Sequence, residues 1–192
     1  MAFEVDVSRG LLSPCCFSAS PHCDARPEGA AIDLLVIHNI SLPPGVFGGY
    51  YIDDLFLGRL PVAEHPYFES IARLKVSAHV LIRRDGEVVQ FVPFHQRAWH
   101  AGPSSFSGRA ACNDFSIGIE LEGADDVDFE ESQYQQLAAI TQCLMVAYPG
   151  IKAANIVGHS DIAPGRKTDP GPHFDWMKYY GLMNFPSSIR HI

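Results

Sequence analysis

The densest chemistry in the chain lies in residues 155–172, NIVGHSDIAPGRKTDPGP, where His159, Arg166, Lys167 and Asp169 share one turn-rich segment. A loop on a rigid scaffold can hold such groups at a site, although the same residues also suit a solvated surface loop with Asp-Pro-Gly-Pro turn chemistry. Two further groups stand out. His38 follows the apolar run of residues 32–37, IDLLVI, and Glu120 sits inside the alternating run FSIGIELEG. If the strands ending in His38 and His159 are neighbours, two imidazoles converge and Asp169 can close a third corner. Two histidines and one carboxylate form a zinc set that leaves a fourth position open to water. Glu120 is then a candidate base for that water and acid for a leaving amine. Lys167 is a candidate partner for a developing oxyanion. Spacing alone does not select these residues among nine histidines, and His38 also reads as a hydrogen-bonded strand end.

The elements that must position these groups follow from the hydrophobic pattern. Residues 1–30, punctuated by Pro14, Pro21 and Pro27, read as a coil arm. Residues 32–37 suit a strand buried on both faces. Residues 41–73 are rich in aromatics and glycine, with short helices expected at 53–57 and 66–73, and could wall or lid a cleft. Residues 76–92 predict a hairpin turning at Asp85-Gly86, with His79 packed and hydrogen-bonded within it. In residues 115–123, Ser116, Gly118 and Glu120 share one strand face, and Gly118 leaves room for a close approach. Residues 128–148 predict a helix, with Asp128 and Glu131 as a capping box and Leu137, Ile140, Leu144 and Ala147 as its apolar stripe. A short helix is expected near 174–182, followed by a polar tail. The expected fold is α/β, a single domain with a central mixed β-sheet flanked by helices. It divides into an arm at 1–30, the domain at 31–182 and a tail at 183–192.

Composition removes several function classes. The 192 residues are 47% hydrophobic and 19% charged, which suits one globular domain with a sizeable core. A net charge of −8 excludes a global basic footprint for nucleic acid. No apolar run approaches the roughly 20 residues of a membrane span. Glu4 and Asp6 stand where a secretory signal would carry lysines, so a cytoplasmic protein is expected. Five cysteines, Cys15, Cys16, Cys23, Cys112 and Cys143, are an odd number and read as reduced thiols. Cys15, Cys16 and Cys23 with His22 lack the second Cys-x-x-Cys of a structural zinc site. A thiol hydrolase built on Cys112 and His100 would need an activating motif that is absent.

Several separate motifs occur together in order. They are HNISLPPG from His38, SAHVLIRRDGEVVQFVPF, RAWHAG, NDFSIGIELEG from Asn113, and GH at 158–159 followed by RKTDPGP. Together they closely resemble the AmpD family of cytosolic zinc amidases, related to phage lysozyme-amidases and peptidoglycan recognition proteins. The resemblance runs from about Ser20 to about Tyr179. It implies one zinc held by His38, His159 and Asp169, with Glu120 as acid/base and Lys167 at the oxyanion. The implied substrate is a small muropeptide, cut between anhydro-muramic acid and L-alanine by a monomer that needs neither nucleic acid nor membrane. Asn39, Tyr67, Trp99 and Arg166 match positions near bound product, Arg166 suiting a peptide carboxylate. Where the family can carry a second basic residue before Cys112, Ala110-Ala111 stand, with Arg109 as a possible substitute. A non-catalytic peptidoglycan-binding module is the competing class, since the fold also serves recognition, but such modules often lack a metal ligand and here none is missing.

Overall fold

The structure is a computed structural model and describes residues 2–184. In chain order its strands and helices are β1 (Glu4–Asp6), β2 (Leu11–Ser13), β3 (Cys16–Phe17), β4 (Cys23–Ala25), β5 (Leu34–Ile40), α1 (Tyr51–Phe56), α2 (Pro66–Ile71), β6 (Val80–Ile82), β7 (Val88–Gln90), β8 (Gln96–Ala98), β9 (Ser105–Phe106), β10 (Arg109–Ala110), β11 (Ser116–Glu122), α3 (Glu131–Ala147), β12 (Ile156–Gly158), α4 (His159–Ile162) and α5 (Trp176–Leu182).

Six strands form the central sheet in the order β12-β5-β11-β6-β7-β3. All neighbours are parallel except the β6–β7 hairpin, so the sheet is mixed. Its middle strands read as continuous apolar runs because both faces are covered. Leu35, Ile37, Ile117 and Ile119 pack under α3 and α5 with Leu137, Ile140, Leu144 and Tyr179. On other parts of the sheet, Leu81, Val89 and Phe91 pack with Leu55, Phe56 and Phe68 of α1 and α2.

Register matters most for the site. In the parallel β5–β11 pair His38 lies opposite Glu120, and β12 runs beside β5 with Gly158 opposite Ile37. Three strands therefore deliver His38, Glu120 and His159 to one end of the sheet. This is the carboxyl-end edge where α/β proteins place ligands.

Two local expectations change. The arm at 1–30 is not coil: β1 and β2 form a hairpin, β3 extends the central sheet beside β7, and β4 pairs with β8. Strands of two or three residues have too few positions to show a period. The α3 capping box uses Glu130 and Gln133, two residues beyond Asp128 and Glu131. Asp128 instead accepts a hydrogen bond from His173, while Lys178 pairs with Glu131. The hairpin strand alternates between two covered faces, with Val80 and Ile82 in the core under α3 and Leu81 in the core against α1 and α2. Of the expected tail at 183–192, residues 185–192 lie outside the described residues.

Candidate active site

His38 follows the apolar part of β5, which pairs with β12, and His159 opens α4 directly after β12. The loop from α4 returns Asp169 to them, with the Ser160 amide donating to the Asp169 carbonyl at 3.0 Å. The result is a triangle. His38 Nδ1 lies 2.9 Å from both His159 Nδ1 and Asp169 Oδ2, and His159 Nδ1 lies 3.0 Å from the same oxygen. The two imidazoles are buried, and the cluster meets the requirement of three convergent ligand atoms.

Hydrogen bookkeeping shows what the triangle needs. His159 Nε2 is 3.0 Å from the Ala101 carbonyl oxygen, which only accepts. Both hydrogens on Arg166 Nη2 go to the carbonyls of Ala101 and Pro103, at 2.6 and 2.8 Å. His159 therefore carries its hydrogen on Nε2 and turns a bare Nδ1 toward a carboxylate oxygen. At most one hydrogen, from His38, is left for three contacts. A metal ion at the centre satisfies all three atoms, so the donor set fits such an ion. Burial lowers the His38 pKa to about 4 despite the Asp169 carboxylate beside it, which keeps the ring neutral as a ligand must be. Burial works against the charge on Asp169, but the close contacts with the His159 and His38 rings outweigh it and hold the carboxyl well below its usual range.

A cleft of about 350 Å³ opens from this triangle. Glu120, His159, Lys167 and Asp169 line one end, with Asn39 and His100 beside them. Glu120 Oε2 is buried without a hydrogen-bond partner. Burial, with the Asp169 carboxylate adding and Lys167 opposing, pushes the Glu120 pKa well above the ordinary carboxylate range. A buried carboxyl with a free oxygen beside a triad of metal-ligand type is equipped to carry a proton. The other end is apolar, with Leu42, Leu55, Phe56, Ile71, Leu74, Val76, Tyr67 and Trp99.

The remaining candidates divide. Tyr67 and Trp99 line the cleft, the Trp99 indole donating to Asp24 at 3.0 Å. Asn39 also lines it, but its Nδ2 hydrogens go to Asp125 and the Pro170 carbonyl, which ties the Asp169 loop to the loop after β11. Arg166 is not among the lining residues and braces residues 101–103. Arg109 does not substitute for the missing basic residue. It forms a bidentate pair with Asp33 and stacks on Phe115, at the opposite end of β5 from His38. His79 is fully buried and structural: it accepts from the Gly118 amide and meets the Gln96 carbonyl and Arg26.

The cysteine alternatives do not assemble. His38, His159 and Asp169 form the one metal-type cluster among the described residues. His22 is bonded to the Val76 carbonyl and Cys23 to Gln96. Cys112 is buried, its thiol pKa is pushed up by burial, and both His100 ring nitrogens are engaged elsewhere. His100 is the residue that spacing assigned no part in the metal triad. It lies under His38, against Gly118, where an added Cβ would come within 2.5 Å of its ring. The signal was there in the strand glycine, which makes room for a side chain from a distant loop.

The model of the N-acetylmuramoyl-L-alanine amidase family (Amidase_2) matches residues 28–172. The chain belongs to this family. The amidase is 62% identical over 173 residues to the 1,6-anhydro-N-acetylmuramyl-L-alanine amidase AmpD of Citrobacter freundii, covering 90% of this chain and 91% of that one. Its fold matches the crystal structure of a selenomethionine AmpD derivative with a TM-score of 0.89 and 58% identity, over 93% and 98% of the two chains. It also matches the Escherichia coli amidase AmiD, solved in complex with anhydro-N-acetylmuramic acid-L-Ala-D-γ-Glu-L-Lys, with a TM-score of 0.58 and 32% identity. That match covers 82% of this chain and 60% of AmiD. The amidase thus joins a family whose members cut an amide to a site able to bind a metal. No helix among its described residues is long and apolar enough to cross a membrane.

Proposed function

We propose that the amidase is zinc-dependent and hydrolyses the amide between the lactyl group of (1,6-anhydro-)N-acetylmuramic acid and the L-alanine of the stem peptide. It does so as a cytoplasmic monomer that recycles cell-wall fragments. The similarity to AmpD and the muropeptide bound to AmiD support the substrate class. The observation that carries the reaction is Glu120, in register with His38 and holding a buried, unpartnered oxygen at the cleft.

His38, His159 and Asp169 would hold the zinc through Nδ1, Nδ1 and a carboxylate oxygen. Zinc bound there would polarise the scissile carbonyl and lower the pKa of a water to about 7. A neighbouring cation also favours the ionised form of Glu120, so the carboxylate can accept the proton of the attacking water. As the water oxygen bonds to the carbonyl carbon and the C–N bond breaks, Glu120 returns that proton to the L-alanine nitrogen, which leaves as an amine. Lys167 faces the carbonyl oxygen while it gains negative charge, a contribution worth about 3 kcal/mol. Tyr67 and Trp99 hold the sugar side against the apolar wall, and the Asn39 Oδ1 remains to accept from the peptide. Arg166, braced through Nη2 on the Ala101 and Pro103 carbonyls, would turn Nη1 to a stem-peptide carboxylate.

The test is mass spectrometry of products from anhydro and non-anhydro muropeptides, with and without a chelator. Free tripeptide and anhydro-N-acetylmuramic acid, lost with chelator and restored by zinc, are expected. Cleavage elsewhere in the peptide, or cleavage untouched by chelator, overturns the reading. Cell fractionation and sedimentation equilibrium test the compartment and the oligomeric state.

A further inference from the structure

The two histidines of the triad are oriented by partners of different chemistry. His159 Nε2 faces the Ala101 carbonyl, which only accepts, so the hydrogen of the neutral ring sits on Nε2 and Nδ1 is bare. His38 Nε2 faces another imidazole: His100 Nδ1, at 2.9 Å. An imidazole nitrogen can donate or accept. If His100 donates from Nδ1, the hydrogen of His38 is forced onto Nδ1, into the centre of the triangle, and blocks a metal there. If His100 accepts, the hydrogen of His38 sits on Nε2 and Nδ1 is free. In that arrangement the hydrogen of His100 lies on its Nε2, 3.1 Å from Ser116 Oγ, which can accept it.

The surroundings hold His100 for this task. Its backbone amide and that of Ala101 donate to Asn113 Oδ1 at 3.2 and 2.8 Å. Gly118 lets the ring lie against β11, where it makes T-shaped contacts with the rings of His38 and His79, at 5.0 and 5.8 Å between centroids. His79 cannot compete for the ring nitrogens, because its own are committed to Gly118, Gln96 and Arg26. His38 and Ser116 are the polar partners left to the His100 side chain among the described residues.

We infer that His100, backed by Ser116, is a positioning residue that sets the metal affinity of the site, by accepting the Nε2 hydrogen of His38 and so freeing His38 Nδ1 as a ligand. This rests on the metal reading proposed above. A carbonyl would do the same job irreversibly. The His100–Ser116 pair does it with groups able to reverse direction, which makes His38 the adjustable ligand and His159 the fixed one.

Zinc affinity, measured by competition with a chromophoric chelator, separates this role from simple packing. His100→Leu keeps bulk but offers no acceptor, and zinc affinity should fall by about 10- to 100-fold. His100→Asn places an amide oxygen near the position of Nδ1 and should recover most of that loss. Ser116→Ala, the milder variant if His100→Leu fails to fold, should weaken zinc severalfold. Long-range proton–nitrogen NMR of the zinc-loaded wild type should find the hydrogens of both His38 and His100 on Nε2. His100 with its hydrogen on Nδ1, or a folded His100→Leu or Ser116→Ala protein binding zinc as tightly as wild type, overturns the inference alone. A wild type that takes up no zinc overturns the metal reading and this inference together.

Discussion

At its metal end the cleft is walled by three parallel strands, β5, β11 and β12, whose register places Glu120 opposite His38 and His159 one step beyond Gly158. At its other end it is walled by α1, α2 and the coil around them, each helix only six residues long. The three ligand residues at the metal end are buried, and the histidine nitrogens among them are aimed by a carbonyl and by His100. The apolar end leaves Tyr67 40% and Leu74 48% exposed. His38 and Glu120 sit on paired strands of the sheet, whose hydrogen bonds constrain them, and the loop after α4 brings Lys167 and Asp169 to them. Groups that need only cover apolar surface sit on short helices. The metal end should therefore govern kcat and the apolar end KM.

Variants can break or sharpen that division. Glu120→Gln should lower kcat by about 10²- to 10⁴-fold with metal content unchanged, as steady-state kinetics and elemental analysis would show. Lys167→Met should cost about 10²- to 10³-fold in kcat with little change in KM. A KM effect in either variant, with kcat preserved, would dissolve the contrast. At the apolar end, Tyr67→Ala should raise KM about tenfold and leave kcat within a factor of two, since it removes contact made equally in ground and transition states.

Stability against pH probes the same carboxyl without turnover. In the metal-free protein, Glu120 binds its proton more tightly folded than unfolded, because burial raises its pKa well above 4.5. The folded state then holds a proton that the unfolded chain releases, so stability falls as pH rises from the ordinary glutamate range toward the raised one. Glu120→Gln removes that loss. The metal-free variant should be more stable than wild type at pH 7.5, with the difference shrinking toward pH 4. Urea unfolding at both pH values measures it, and an equal gap at the two would count against a raised pKa. The smallest effect is expected at Arg109. Its exposed pair with Asp33 lies away from the cleft, so Arg109→Ala should leave kcat and KM unchanged and stability within about 1 kcal/mol.

The same division runs through what could be read from sequence. The apolar runs of β5 and β11, with His38 and Glu120 at defined positions in them, were legible because buried parallel strands carry a strong local pattern. Asp169 closing on His38 and His159 was legible as a possibility, and it took the β12–β5 pairing to bring the three together. The N-terminal strands were not legible, since two- and three-residue strands form only through partners such as β7 and β8 far along the chain. Nor was the service of His100 to His38, which depends on the open face of Gly118 18 positions later in sequence and on the side chain of Asn113. Arg109 misled because proximity to Cys112 in sequence says nothing of which end of β5 its guanidinium meets.

Titrating zinc into the chelator-stripped protein while following release of peptide from an anhydro-muropeptide tests the central claim most directly. Activity should rise from near zero and break sharply at one zinc per chain, the stoichiometry of the single His38–His159–Asp169 cluster among the described residues. Full turnover in the stripped protein, or a rise that continues past one equivalent, would contradict it.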